Sequence, residues 1–204
     1  MALAESPRTR AHSPRIKGAV ESGLVVVDVQ SALMKAFPKA IAAENIYNMA
    51  LLIQAARLLT VPIWVTQQYT KGLGPTVDSL QDALGDAPVF EKLTFSCADD
   101  PDFRNAVRDS GRTTLVVIGT ETHVCVTQTA LDLVAAGYDV HVPSDAVLSR
   151  FRDDFQGGID LMRQGGVYIT RSETVAFQWL QRADGESFRA ISKLVKARGA
   201  NARR

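Results

Sequence analysis

The 204-residue sequence predicts an α/β fold, a single three-layer, Rossmann-like domain whose mostly parallel sheet of about six strands carries helices on both faces. Three observations predict it. Short, continuous, β-branched apolar runs recur at 24–29 (LVVVDV), 62–66 (PIWVT), 115–118 (LVVI), 138–142 (YDVHV) and 167–170 (VYIT), as in strands buried on both faces. Segments with helical spacing alternate with these runs almost throughout, the pattern of a parallel sheet wrapped by its crossover connections. With 46% hydrophobic residues the chain is long enough for one well-buried core, and nothing in it demands a second.

In chain order, the first run contains Asp28. A carboxylate in a buried strand is costly unless it is paired or sits where the strand emerges, so Asp28 is either a site residue or an ordinary acid closing a strand. Asn45 is the expected cap of a helix whose Ile46, Met49, Ala50 and Ile53 make an apolar stripe, ending before Val61 and Pro62. After PIWVT, the stretch QQYTKGLGPTVDSL, with its glycines and proline, predicts a long loop, either a solvated connection or a wall of the site. PVFEK at 88–92 predicts a short strand ending on Lys92, and Pro101 is placed to be the first residue of a helix running to about Gly111.

The stretch GTETHVCVTQTALDL, 119–133, follows the LVVI strand. Thr122 is the expected N-cap, Val126, Ala130, Leu133 and Val134 share one helical face, and Gly137 is the expected C′ residue. Cys125 then lies in the first turn, where unpaired N–H groups and the helix dipole lower a thiol's pKa and hold an oxyanion. His123 is not its base, because residues two apart on a helix point roughly 200° apart. Further helices are expected near 154–164 and over Glu173–Gln181 and Glu186–Lys196. Ligands of parallel α/β sheets bind beyond the carboxyl ends of the strands, and Asp28, Lys92 and Cys125 all fall at or just past such ends.

Composition narrows the function. Two cysteines give no disulfide framework, and there is no run of roughly 18 apolar residues to span a membrane, which fits a reducing compartment such as the cytoplasm. The formal net charge is +1, but basic residues crowd both ends and leave an acidic body, which argues against a nucleic-acid face; binding through the basic ends is a weaker idea. Residues 1–18 are expected to be a flexible arm whose Arg and Ser are also compatible with organellar import, residues 19–196 the domain, and residues 197–204 a basic tail. Cys97 reads as a small buried hydrophobe, with a redox partnership with Cys125 as the alternative.

With DVQ at 28–30, Lys92 after a strand and GTETHVCV at 119–126, the chain resembles the isochorismatase-like cysteine hydrolase superfamily, which includes nicotinamidases and carbamoylsarcosine amidases. The resemblance covers roughly residues 20–195, and QQYTKGLGPTV with the ending RSETVAFQWLQRADGESFRAISKLVK is similar to the isochorismatase domain-containing subgroup. It implies Asp28 as general base and acid, Lys92 as a cation near thiolate and carboxylate, and Cys125 as nucleophile. It also implies a cis peptide at Thr120–Glu121 and an oxyanion hole from the Glu121 and Cys125 N–H groups. Gln30, Phe37, Tyr69 and Phe95 are candidate substrate-binding walls, each equally readable as packing.

Two departures set the expected chemistry. Nicotinamidases carry an Asp and two His as metal ligands after the second strand, where this chain offers Gln67, Gln68 and Tyr69, and its three histidines (His12, His123, His141) lie elsewhere. No metal and no cofactor are therefore expected. Isochorismatases proper lack the nucleophilic cysteine, which this chain has. The expected function is C–N (amide-type) hydrolysis of a small molecule through a Cys thioester by a homo-oligomer, without nucleic-acid or membrane partners. The alternative is a weakly active or inactive structural or interaction protein on the same fold.

Overall fold

The computed structural model describes residues 13–201. Its sheet has seven strands: β1 Ser22–Val27, β2 Ile63–Gln68, β3 Val89–Lys92, β4 Thr114–Thr120, β5 Asp139–Pro143, β6 Val147–Leu148 and β7 Tyr168–Thr170. The order is β3-β2-β1-β4-β5-β7, all pairs are parallel, and β6 adds two residues beside the end of β4. The three-layer α/β expectation holds, and β6 is the strand the sequence does not announce. Two residues are too few to carry a period.

The helices are α1 Ser31–Met34, α2 Lys39–Leu58, α3 Thr70–Leu73, α4 Asp78–Leu84, α5 Pro101–Asp109, α6 Thr127–Ala135, α7 Arg152–Gln164, α8 Ser172–Leu180 and α9 Gly185–Asn201. Alternation along the central strands divides the core between two faces. Leu24, Val26, Val116 and Ile118 pack with residues of α2, α4, α8 and α9, whereas Val25, Val27, Leu115 and Val117 pack with residues of α5, α6 and α7. Because both faces are apolar, the strands read as unbroken runs rather than as alternating ones.

Four local expectations are corrected. Asn45 lies inside α2 and donates to Ile41 O; the helix starts after Pro38, whose φ of −56° suits that position. The stretch expected to be a loop after PIWVT is largely ordered secondary structure. Gln67 and Gln68 continue β2 because Glu91 and Lys92 pair with them, and the Glu91 carboxylate accepts from the Thr70 N–H to start α3. Residues 13–18, assigned to the arm, include Ile16, which is 1% exposed and donates its N–H to Gln178 Oε1, so the packed domain begins before residue 19; residues 1–12 of that arm lie outside the described residues. The tail expected from residue 197 begins as helix. Arg198 on α9 donates to the buried Asp145 carboxylate at 2.8 Å, and Asp145 also accepts from Ser172 N and Oγ, fastening α8 and α9 to the end of the sheet; residues 202–204 lie outside the described residues.

One glycine is dictated by the strand pair that carries the site. Gly119 has φ 127°, and a Cβ there would collide with the carbonyl of Val27 on β1. Gly119→Ala is therefore expected to cost about 1–3 kcal/mol from backbone strain alone, with the collision added, and to lower Tm by about 5 °C or more in a thermal melt.

Candidate active site

Parallel pairing brings four strand ends to one edge of the sheet. Register places Val27 beside Thr66 and Gly119, and Gln68 beside Lys92, so the residues that follow β1 and β4 and those that end β2 and β3 converge. Asp28 is the first residue past β1, with φ 49°, and is fully buried. Its backbone carbonyl accepts from Thr120 Oγ1 at 2.7 Å, which ties the end of β1 to the end of β4.

The Asp28 carboxylate is held from two sides. Lys92 Nζ donates to Oδ2 at 2.7 Å and Thr66 Oγ1 donates to Oδ1 at 2.8 Å. Lys92 is itself 3% exposed, and its Nζ sits among four oxygens: Asp28 Oδ2, Gln68 Oε1 at 2.8 Å, and the carbonyls of Thr94 and Phe95 at 3.1 Å. A buried ammonium surrounded only by acceptors matches the donor-only chemistry of that group, and a buried charge needs such partners to persist. The residues after β3 are thus placed by their carbonyls.

Cys125 lies five residues past β4, in a π-helical turn, Thr122–Val126, that leads into α6. Glu121, not Thr122, caps this turn, and its carbonyl accepts from the N–H groups of Val124 and Val126. Thr122 Oγ1 is buried without a partner among the described residues, so the expected N-cap is corrected. Gly137 has φ 91° and occupies the expected C′ position, and Val126, Ala130 and Leu133 are buried. The peptide Thr120–Glu121 is cis, in agreement with the resemblance. The Glu121 side chain is fixed by Arg150, whose backbone N–H and Nε both donate to Oε1, at 3.1 and 3.0 Å.

The electrostatics of the thiol differ from expectation. Burial, and then the neighbouring Asp28 carboxylate, push the Cys125 thiol well above the ordinary thiol range, and the Lys92 ammonium only partly offsets them. The helix N-terminus therefore does not leave a standing thiolate, because enclosure outweighs the dipole. At neutral pH the resting form is S–H beside a carboxylate. Cys125 is 7% exposed and is the least enclosed of the three residues.

His123 is occupied elsewhere, with Nδ1 2.9 Å from Ser149 Oγ and Nε2 3.8 Å from Asp154 Oδ2, which fits its turn away from the sulfur. Cys97 is fully buried on the same side of the sheet as Cys125, and burial lifts its thiol to about 11.

The expected walls divide. Gln30 is buried and its amide is spent on backbone: Nε2 donates to Gln68 O and Gly74 O, and Oε1 accepts from Gln68 N, so it clamps β2 to the segment after α3 rather than offering groups to a substrate. Phe37 is 5% exposed and belongs to the core cluster of α2, across the sheet from the cluster that contains Cys125, which makes it packing. Tyr69 and Phe95 are 49% and 53% exposed on the segments that follow β2 and β3, beside Lys92. Thr66 and Arg150 were not singled out by sequence, and Gln68 and Thr120 were named there without these roles; each acts through a partner that only strand register or a tertiary contact supplies. Among the described residues, no group of three His, Cys, Asp or Glu side chains could hold a metal ion, and no helix is long and apolar enough to cross a membrane.

A thiol, a carboxylate and an ammonium thus meet at one edge of a parallel three-layer sheet. The chain belongs to the isochorismatase family, whose domain model matches residues 22–174. It is 42% identical over 155 residues to a secreted isochorismatase effector of Phytophthora sojae, covering 74% of each chain. It is 35% identical over 182 residues to isochorismatase domain-containing protein 2 of Xenopus laevis, covering 87% of this chain and 85% of that one. Among solved structures, a ribonuclease from Caenorhabditis elegans matches with a TM-score of 0.83 at 35% identity, covering 89% of this chain and 92% of the other.

Proposed function

We propose that this protein is a metal-independent cysteine hydrolase that cleaves a C–N, amide-type bond of a small molecule through a thioester on Cys125. The observation that carries the reading is the buried Asp28 carboxylate, held by Lys92 at 2.7 Å next to a thiol that burial keeps protonated at neutral pH. Asp28 takes the proton from Sγ as sulfur attacks the carbonyl carbon, and the N–H groups of Glu121 and Cys125 hold the oxyanion. The C–N bond breaks as Asp28 returns the proton to the leaving nitrogen. Asp28 then takes a proton from water, the hydroxyl attacks the thioester, and the thiol leaves with that proton. Lys92 holds the carboxylate in place between steps. Tyr69 and Phe95 form the apolar rim a small acyl group would meet.

The compact, enclosed thiol favours a small substrate over a polymer. The exposed apolar side chains Tyr69, Leu93 and Phe95 also support self-association of copies near this rim. The test is a panel of small amides: turnover is expected with the parent protein, unchanged by a chelator, and none with Cys125→Ala. A second reading, RNA cleavage, is favoured by the activity named for the C. elegans protein. Degradation of RNA by the parent and not by Cys125→Ala, with no turnover of amides, would select it instead.

A further inference from the structure

Asp28 is held on its second oxygen by Thr66, which, like its neighbour Cys97, the mechanism above does not use. Thr66, on β2, is fully buried, with Oγ1 2.8 Å from Asp28 Oδ1 and 3.4 Å from Cys97 Sγ. A hydroxyl has one hydrogen, and a carboxylate can only accept, so that hydrogen goes to Asp28. The contact with Cys97 must then run the other way, with the Cys97 S–H donating to a Thr66 lone pair. The thiol that burial lifts to about 11 keeps its hydrogen across the neutral range and can fill that role. Cys97 is itself anchored, because its backbone N–H donates to Thr129 Oγ1 at 2.9 Å, and Thr129 is on α6, the helix that continues from Cys125.

We infer that Thr66, oriented by Cys97, is a positioning residue that keeps the Asp28 carboxylate aimed at Cys125, through the ordered chain Cys97 S–H to Thr66 O–H to Asp28 Oδ1. This inference rests on the proposed role of Asp28 as the base for Cys125. Lys92 takes the other oxygen, so the carboxylate is clamped at both ends. The charged and titratable groups that face Asp28 are Lys92 at the end of β3, Cys125 in the π turn and Cys97; Thr66 on β2 and Thr120 on β4 are the uncharged ones. The proton transfer is balanced: the S–H bond of Cys125 breaks, an O–H bond forms on the carboxyl group, and the sulfur electron pair forms the new bond to carbon. A hydrogen-bond donor to the ionised form delays protonation of the base, so its loss should let Asp28 hold a proton to higher pH.

The experiment follows alkylation of Cys125 by iodoacetamide against pH, with the modified site read by peptide mass spectrometry. In the parent protein the rate is expected to fall on an acid limb set by protonation of Asp28, which Asp28→Asn removes, leaving only the limb of the thiol's own ionisation at higher pH. Thr66→Val, which conserves shape but takes the donor from Asp28 Oδ1 and the acceptor from the Cys97 thiol, is expected to move the acid limb up by about one pH unit. Thr66→Ser should restore it, and Cys97→Ala should move it in the same direction by less. A limb left in place by both Thr66→Val and Cys97→Ala overturns the positioning role while leaving Asp28 as base. An acid limb that stays at the parent's position in Asp28→Asn overturns the base assignment itself, and with it this inference. If Thr66→Val does not fold, Cys97→Ala decides alone: a moved limb supports the chain of bonds, and an unmoved one overturns it.

Discussion

Asp28→Asn is expected to slow deacylation more than acylation, so that the enzyme stalls as the thioester. With an activated ester, the leaving group needs no proton, so thioester formation survives the loss of the acid. At the thiol the loss of the base is offset in part: removing the carboxylate also takes away the charge that, after burial, holds Cys125 above its ordinary range, and the Lys92 ammonium remains. Deacylation has no such substitute, because a water attacking the thioester needs a base within reach and Asn cannot serve. The expected result is one fast release of product followed by turnover slowed by about 10²–10⁴-fold, the usual worth of a positioned general base. A progress curve of product release reads both phases. Asn keeps an oxygen for Lys92 or Thr66, and Lys92 keeps Gln68 Oε1 and two carbonyls, so the fold should be retained.

The largest effect on stability is expected from Lys92→Met. Both members of the pair are almost without solvent, at 1% and 0% side-chain exposure. Removing one partner of a buried pair strands the other, at a cost of about 3–5 kcal/mol, which for a domain of this size corresponds to a fall in Tm of about 10 °C or more. The sign of the pH dependence follows. A stranded Asp28 would bind its proton more tightly in the folded variant than in the unfolded chain, so its penalty is smallest at acid pH and grows as pH rises. The difference in Tm between parent and Lys92→Met should therefore widen from acid to neutral pH. Asp28→Asn combined with Lys92→Met removes both charges, and it should be more stable than Lys92→Met alone at neutral pH.

Much of this was legible in the sequence because it depends on local pattern. Runs such as LVVVDV and LVVI mark strands buried on both faces, and in a parallel sheet the residues ending them must meet at one edge. Asp28 and Lys92 could therefore be associated across 64 positions of chain, and they are in contact. What escaped depends on register or enclosure. Thr66 looks like any strand threonine until β2 is set against β1, and Gln30 looks available for a ligand until its amide is found on Gln68 and Gly74. The sign of the Cys125 shift was missed for a related reason: the dipole of a helix start can be read from capping residues, but the thickness of protein over the sulfur cannot. In the stretch after β2, glycines and a proline suggested loop, whereas pairing with β3 and the Glu91 cap on Thr70 imposed strand and helix. Tertiary partners overrode local propensity there.

The most direct test of the central claim is peptide mass spectrometry after rapid mixing with an activated acyl donor, comparing the parent protein, Asp28→Asn and Cys125→Ala. A thioester resolved through Asp28 requires an acyl group on Cys125 that is transient in the parent, persistent in Asp28→Asn and missing in Cys125→Ala. An acyl group that Asp28→Asn clears as fast as the parent, or that never forms on Cys125, would contradict it.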